Sequence, residues 1–275
     1  MSAGAVSTID SEALSSGFHV GAYRIVRRLG KGGMGAVYEA IHETIERRVA
    51  VKVLRAEYAQ DATSVARLMN EARAVNRVGH PGLVQVYDAG QLPNGSVYIL
   101  MELLDGVTLA TRIAQRRPTL SETLRFSRQI AGAIAAAHEK RIIHRDLKPE
   151  NIMIVSDPDT QAGERSKILD FGIAKLLERP GVLAPATCPD VVLGTPQYMS
   201  PEQCRGAADI DESTDVYSFG AVLFFMLTGR PPFSGTLADV IAQHLHTKPP
   251  ALSDLCPWVP TSLGILVQDL LAKQS

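Results

Sequence analysis

Eight consecutive residues, His144-Arg145-Asp146-Leu147-Lys148-Pro149-Glu150-Asn151, put a carboxylate at Asp146 and an amide oxygen at Asn151 on one short loop. Transfer of a phosphoryl group asks little more of a protein. The phosphorus is already electrophilic and its oxygens carry heavy negative charge, so catalysis consists mainly of orienting an attacking hydroxyl and neutralising oxygens. Asp146 suits the first task, and Asn151, holding a Mg²⁺ ion, suits the second. Asp, Lys and Pro also cluster in ordinary surface turns, and a lone His-Arg-Asp is weak evidence. The weight of the reading therefore comes from other motifs that arrive in order.

Upstream runs a glycine-rich turn, Leu29, Gly30, Lys31, Gly32, Gly33, Met34, Gly35, Ala36 and Val37, with Gly30, Gly32 and Gly35 at the G-x-G-x-x-G spacing. Glycines so spaced let a strand-turn-strand lie over phosphates without Cβ atoms in the way. Dinucleotide-binding folds use the same spacing, but there the turn opens into a helix. Here residues 36–40 read as a strand, followed by the apolar Val49-Ala50-Val51 and then Lys52, a strand-borne cation suited to phosphates. A lysine among apolar neighbours needs an anionic partner. Glu71 is the candidate, on a helix expected over residues 64–78, whereas Glu57 follows Lys52 too closely to be presented from that helix. Downstream, Ile168-Leu169-Asp170-Phe171-Gly172 ends an apolar strand in an acid-aromatic-glycine turn, making Asp170 the second Mg²⁺ ligand.

Taken together, these motifs resemble those of the eukaryotic-type protein kinases, and among them the serine/threonine kinases found in bacteria, over residue 23 to the end of the chain. The resemblance implies an α+β, bilobal protein-kinase fold with a β-rich N-lobe over residues 23–104 and a mainly helical C-lobe over 105–275. It also implies ATP as phosphoryl donor, Mg²⁺ (Mn²⁺ as the alternative), and protein substrates. Lys148, two residues after Asp146, and the run Gly194-Thr195-Pro196-Gln197-Tyr198 resemble the Ser/Thr form rather than the Tyr form. By the same resemblance Glu102 and Leu104 offer backbone groups to adenine, Met101 gates the pocket behind it, Val37, Ala50 and Met153 sandwich the ring, and Asp215 holds the catalytic-loop backbone. Arg145 and Lys175 would meet a phosphate on the activation segment, and Thr187, in a proline-flanked stretch, is the expected main phosphosite. Thr195 has a counterpart that contacts the Asp146 and Lys148 pair. Family members often pair through their N-lobes, so a homodimer is an expectation of the same kind.

Ser200-Pro201-Glu202 departs mildly from the family's Ala-Pro-Glu. Residues 270–275 stop where the family would enter its last C-lobe helix, whose arginine pairs with the counterpart of Glu202, so the sequence reads as lacking that helix and Glu202 as a buried carboxylate without its partner. A kinase-like scaffold without activity would be expected to have lost Lys52, Asp146, Asn151 or Asp170, and all four are present. Small-molecule phosphotransferases usually lack both this glycine turn and the segment 194–202.

Composition agrees: 275 residues with 45% hydrophobic content bury a large core, and a net charge of −1 gives no general attraction to nucleic acid or anionic lipid. Three cysteines, Cys188, Cys204 and Cys256, are too scattered for a disulfide framework or zinc site, which points to a reducing cytoplasm. Residues 1–22 carry no signal-peptide pattern and read as a disordered leader. The most apolar run, 216–227, is too short to span a bilayer and reads as a buried helix. His80, His244 and His246 read as surface or core-edge residues and His144 as a packing residue.

Overall fold

Val49, Val51 and Val53 alternate with Ala50 and Lys52, and an alternation of period two gives a strand two different faces. In a computed structural model of the chain, which describes residues 14–32, 35–54, 62–170, 196–207 and 210–273 (side chains at 62–64, 67, 68 and 71 excepted), these residues form strand β4, Arg48–Leu54. The described chain falls into two compact units. One holds residues up to Met69 together with Val86–Leu103, and the other holds Asn70–Gln85 and Leu104 onward. The division falls inside helix α1, Ala62–Val78, which covers the helix expected over 64–78.

The first unit is an antiparallel six-stranded sheet in the order β1-β2-β3-β4-β6-β5, built from β1 His19–Val20, β2 Tyr23–Gly32, β3 Gly35–His42, β4, β5 Val86–Gln91 and β6 Val97–Glu102. One face carries the core: Val20, Ile25, Tyr38, Ala40, Val49, Val51, Val53, Leu92 and Leu100. The register pairs Val37 with Lys52 with Ile99, and Glu39 with Ala50 with Met101, so those six share the opposite face. There Glu39 is buried but held by two guanidinium groups, Arg27 Nε at 2.9 Å and Arg48 at 2.6 Å. Of the leader expected over 1–22, residues 1–13 lie outside the described residues, whereas 14–22 carry β1 and are not disordered. Val20 is only 1% exposed and seals the core beside Ile25, and Leu14 N–H donates to the Tyr38 hydroxyl at 3.0 Å. A two-residue strand is too short to announce itself by periodicity.

In the second unit, β7 Gly106–Thr108, β8 Ile152–Ser156 and β9 Glu164–Ile168 form a small antiparallel sheet among helices α2 Leu109–Gln115, α3 Leu120–His138, α4 Pro201–Cys204, α5 Ser213–Thr228, α6 Leu237–His246, α7 Leu252–Leu255 and α8 Thr261–Leu270. Residues 82–84, expected in the N-lobe, group here because Ile168 N–H donates to Gly82 O at 2.8 Å and Val84 N–H to Ile168 O at 3.0 Å. Helix α3 starts on a capping box between Thr119 and Glu122, and Phe126, Ile130, Ala133, Ile134 and Ala137 form its buried stripe. The Arg116 guanidinium, hydrogen-bonded to Glu122 at 2.5 Å, draws that carboxyl down to about 2. Helix α5 is buried on nearly every side. At Gly220 it lies so close to α8 that a Cβ would sit 2.8 Å from the Leu270 Cβ. Cys204 and Cys256 are buried and not joined to each other, while Cys188 lies outside the described residues. No helix among the described residues is long and apolar enough to cross a membrane.

His244 was read as a surface or core-edge residue, and the structure overturns this, placing it at 0% exposure. Lys273 Nζ donates to the Tyr217 hydroxyl at 2.8 Å, and that hydroxyl lies 2.9 Å from His244 Nδ1, to which it can give its own proton when the ring is neutral with Nδ1 bare. Burial, with the Lys273 ammonium behind it, holds the imidazole down to about 4. In the unfolded chain the ring takes its proton near 6.5, so the unfolded state gains protons first on acidification. The contribution is whole above pH ~6.5 and is lost as pH falls toward ~4, in total roughly 3 kcal/mol. We expect the melting temperature of His244→Phe to lie below the wild type at pH 7.5 and the gap to close by pH 4.5. A gap independent of pH would contradict a neutral buried ring.

Candidate active site

The loop between α3 and β8 carries the acid and the amide, and residues of α4, of α5 and just past β9 bond to its backbone. Asp146 Oδ2 accepts from Lys148 Nζ at 2.8 Å and from Asn151 Nδ2 at 3.0 Å, and the same amide nitrogen also donates to Asp146 O at 2.8 Å. Both bonds of Asn151 use nitrogen, so its Oδ1 is left as an acceptor. The Asn151 carbonyl accepts from Leu169 N–H at 2.8 Å, which sets Asp170 immediately beyond the residue tied to Asn151. An amide oxygen and a carboxylate are the hard oxygen donors that Mg²⁺ takes. The second unit joins the side chains of Asp146, Lys148 and Asn151 and puts Asp170 next in the chain to a residue whose backbone is bonded to Asn151.

His144 does more than pack. Asp146 N–H donates to its Nδ1 at 3.2 Å, so the ring proton sits on Nε2 and is given to Leu169 O at 2.8 Å. Asp215, at the first turn of α5 and 1% exposed, accepts from the N–H groups of His144 at 2.7 Å and Arg145 at 2.8 Å, with His138 Nε2 at 2.8 Å. Arg145 stands at φ +64° and Asp170 at φ +46°, left-handed conformations that non-glycine residues keep only where the surroundings impose them. Three groups at this site had gone unread in the sequence. His138 contacts Asp215, Thr214 donates to Glu202 Oε1 at 2.5 Å, and Gln203 donates to Arg145 O at 2.6 Å. Only Gln203 left a local signal, the Ser200-x-x-Gln203 spacing of a capping box. Glu202, expected to be buried without its partner, is partly exposed and bonded to that buried threonine hydroxyl.

In the first unit, Val37, Ala50, Lys52 and Met101 lie on the sheet face opposite the core, with Glu102 opposite Val49 at the end of β6. The glycine turn is the β2-β3 hairpin, pairing Gly30 with Val37, Lys31 with Ala36 and Gly32 with Gly35, and Leu29 is 41% exposed on β2. Its glycines answer to different demands. A Cβ on Gly35 would sit 2.0 Å from Val53 O, so the fold itself requires that glycine, whereas a Cβ on Gly30 or Gly32 meets nothing within 4 Å. Leu104 and Met153, on β8 opposite Lys167, belong to the second unit and are half-buried. Gly33, Met34, Lys175, Thr187 and Thr195 lie outside the described residues, as does the side chain of Glu71, so its pairing with Lys52 does too.

A β-rich N-lobe sheet and a helical C-lobe bearing this loop are the protein kinase fold. The kinase domain of PknI from Mycobacterium tuberculosis, a solved structure, superposes with a TM-score of 0.72 at 28% identity, covering 95% of this chain and 91% of that one. The chain belongs to the protein kinase domain family, whose model matches residues 23–273. Among its relatives, the serine/threonine-protein kinase Pkn1 of Myxococcus xanthus is 40% identical over 94% of this chain and 36% of its own length. PrkC of Bacillus subtilis, likewise a serine/threonine-protein kinase, is 39% identical over 92% of this chain and 38% of its length, and PknF of Mycobacterium tuberculosis is 38% identical over 95% and 54%. The chain thus spans about a third to a half of the length of these curated relatives. The resemblance to bacterial serine/threonine kinases is borne out, and the family uses ATP and a divalent metal ion.

Proposed function

We propose that this chain transfers the γ-phosphoryl group of ATP to Ser or Thr hydroxyls of proteins, and the observation that carries the proposal is the Lys148–Asp146–Asn151 constellation. The acceptor oxygen bonds to the γ-phosphorus, the bond from that phosphorus to its bridging oxygen breaks, ADP leaves, and the hydroxyl proton passes to the Asp146 carboxylate. Lys148, 2.8 Å from that carboxylate, holds it in place and offsets charge on the transferring group. Asn151 Oδ1 and the Asp170 carboxylate would hold Mg²⁺, with Mn²⁺ as its substitute, and the ion would neutralise phosphate oxygens. Lys52 pairs with phosphates from the sheet face, and Gly30 and Gly32, which the fold leaves sterically open, let backbone approach them. Thr187 is the proposed autophosphorylation site, Arg145 its phosphate contact, the cytoplasm the compartment and an N-lobe pair the dimer.

Incubation with radiolabelled ATP and Mg²⁺ alongside a generic protein substrate tests this. Label should appear on Ser and Thr of the substrate and, by phosphopeptide mapping, on Thr187. In Gly30→Ala the KM for ATP should rise about tenfold with the melting temperature unchanged, since the added methyl costs backbone approach to phosphate and nothing in the fold. Label on small molecules only, or on no acceptor, would sink the proposal. Sedimentation at several concentrations reads the dimer.

A further inference from the structure

We infer that Gln203 is a positioning residue for phosphoryl transfer, holding the peptide plane between Arg145 and Asp146 from its carbonyl side; the inference rests on the kinase reading above. The Gln203 side chain has two ends and both are used. Its Oε1 accepts from Ser200 N–H at 3.1 Å while its own N–H donates to Ser200 Oγ at 3.3 Å, closing the capping box that starts α4. Its Nε2 reaches the Arg145 carbonyl at 2.6 Å.

That carbonyl belongs to the peptide unit that presents the acid. The unit's other end, Asp146 N–H, is held by His144 Nδ1 at 3.2 Å, and because a peptide is planar, fixing its oxygen and its N–H fixes the whole plane and so the direction in which Asp146 leaves it. One residue earlier, Arg145 N–H is held by Asp215 Oδ1 at 2.8 Å. Arg145 itself sits at φ +64°, a conformation it would leave if its surroundings let it. Asp215 and His144 restrain the N–H groups on either side of Arg145, and Gln203 is the side chain that restrains its carbonyl. The clamp also makes the geometry of Asp146 depend on the seating of α4, through an amide that has one end in each.

Gln203→Glu separates the two ends. A glutamate at the third helical position still accepts from Ser200 N–H, so the cap survives, but its second oxygen has no proton for Arg145 O and repels it. We expect kcat to fall about tenfold or more with the KM for ATP within about twofold and the melting temperature nearly unchanged, the signature of a misaimed catalytic group in an intact fold. Native-state hydrogen exchange at the Asp146 amide should quicken about tenfold in the same variant, a readout that needs no activity. Wild-type kcat and exchange in Gln203→Glu would overturn the inference, as would a loss of kcat that merely tracks a lower melting temperature. An inactive wild-type chain whose Asp146 amide still loosens in the variant would fault the kinase reading and leave the clamp standing.

Discussion

Asp146→Asn should lower turnover by about 10²–10⁴-fold, the range set by losing a positioned proton acceptor, while leaving the affinity for ATP within a few fold. The amide keeps the volume of the carboxylate and an oxygen able to accept from Lys148 Nζ or Asn151 Nδ2, bonds of 2.8 and 3.0 Å in the native chain, so the loop should hold its shape. What the amide cannot do is take the acceptor's proton. Single-turnover phosphotransfer alongside nucleotide titration separates the two effects. Turnover near the wild-type rate would end the assignment of Asp146, and lost ATP binding in a folded variant would end the division of labour between Asp146 and Lys52.

Asp215→Ala should strike stability as hard as Asp146→Asn strikes rate. Three bonds of 2.7–2.8 Å end on a carboxylate that is 1% exposed. Its removal strands two backbone N–H groups at a left-handed residue, at about 1–3 kcal/mol for each unsatisfied donor, so roughly 2–6 kcal/mol in all. That is a large share of the 5–15 kcal/mol that holds a typical domain together, and a fall of about 10 °C in melting temperature is the expected readout. Asp215→Asn, which retains one acceptor oxygen, should fall in between. A melting temperature unmoved in Asp215→Ala would mean that the N–H groups of His144 and Arg145 find other acceptors at no cost.

The two predictions differ in how readily the sequence disclosed them. Asp146, Lys148 and Asn151 lie within six residues of one another, so their spacing alone announces their meeting, and Asp170 follows an apolar strand. The residues that hold them reach in from afar: Asp215 bonds His138 and His144 across 77 and 71 positions, and Gln203 bonds Arg145 across 58. Nothing local marks such pairings. Asp215 was legible only through family resemblance, Gln203 only as a helix cap, and His138 not at all. His244 failed for a related reason, since it is buried beside Tyr217, 27 residues away, and kept neutral by that burial with the Lys273 charge behind it. The strands of the N-lobe sheet could be read because valine alternation is local, whereas Val20 sits in a strand of two residues, shorter than any alternation.

The two-faced sheet of the N-lobe has a bearing on how faithfully it forms. Lys52 lies between Val51 and Val53 of the core face, so a slip of β4 by one residue would turn all three over together. Such a slip would thrust an ammonium among Ile25, Tyr38 and Leu100 and leave valines on the face proposed to meet phosphates, at a cost of several kcal/mol for burying the charge alone. Misregistered chains therefore fail as folds before they can persist as inactive kinases. The lysine proposed to serve the nucleotide would thus act, during assembly, as the lobe's own proofreader.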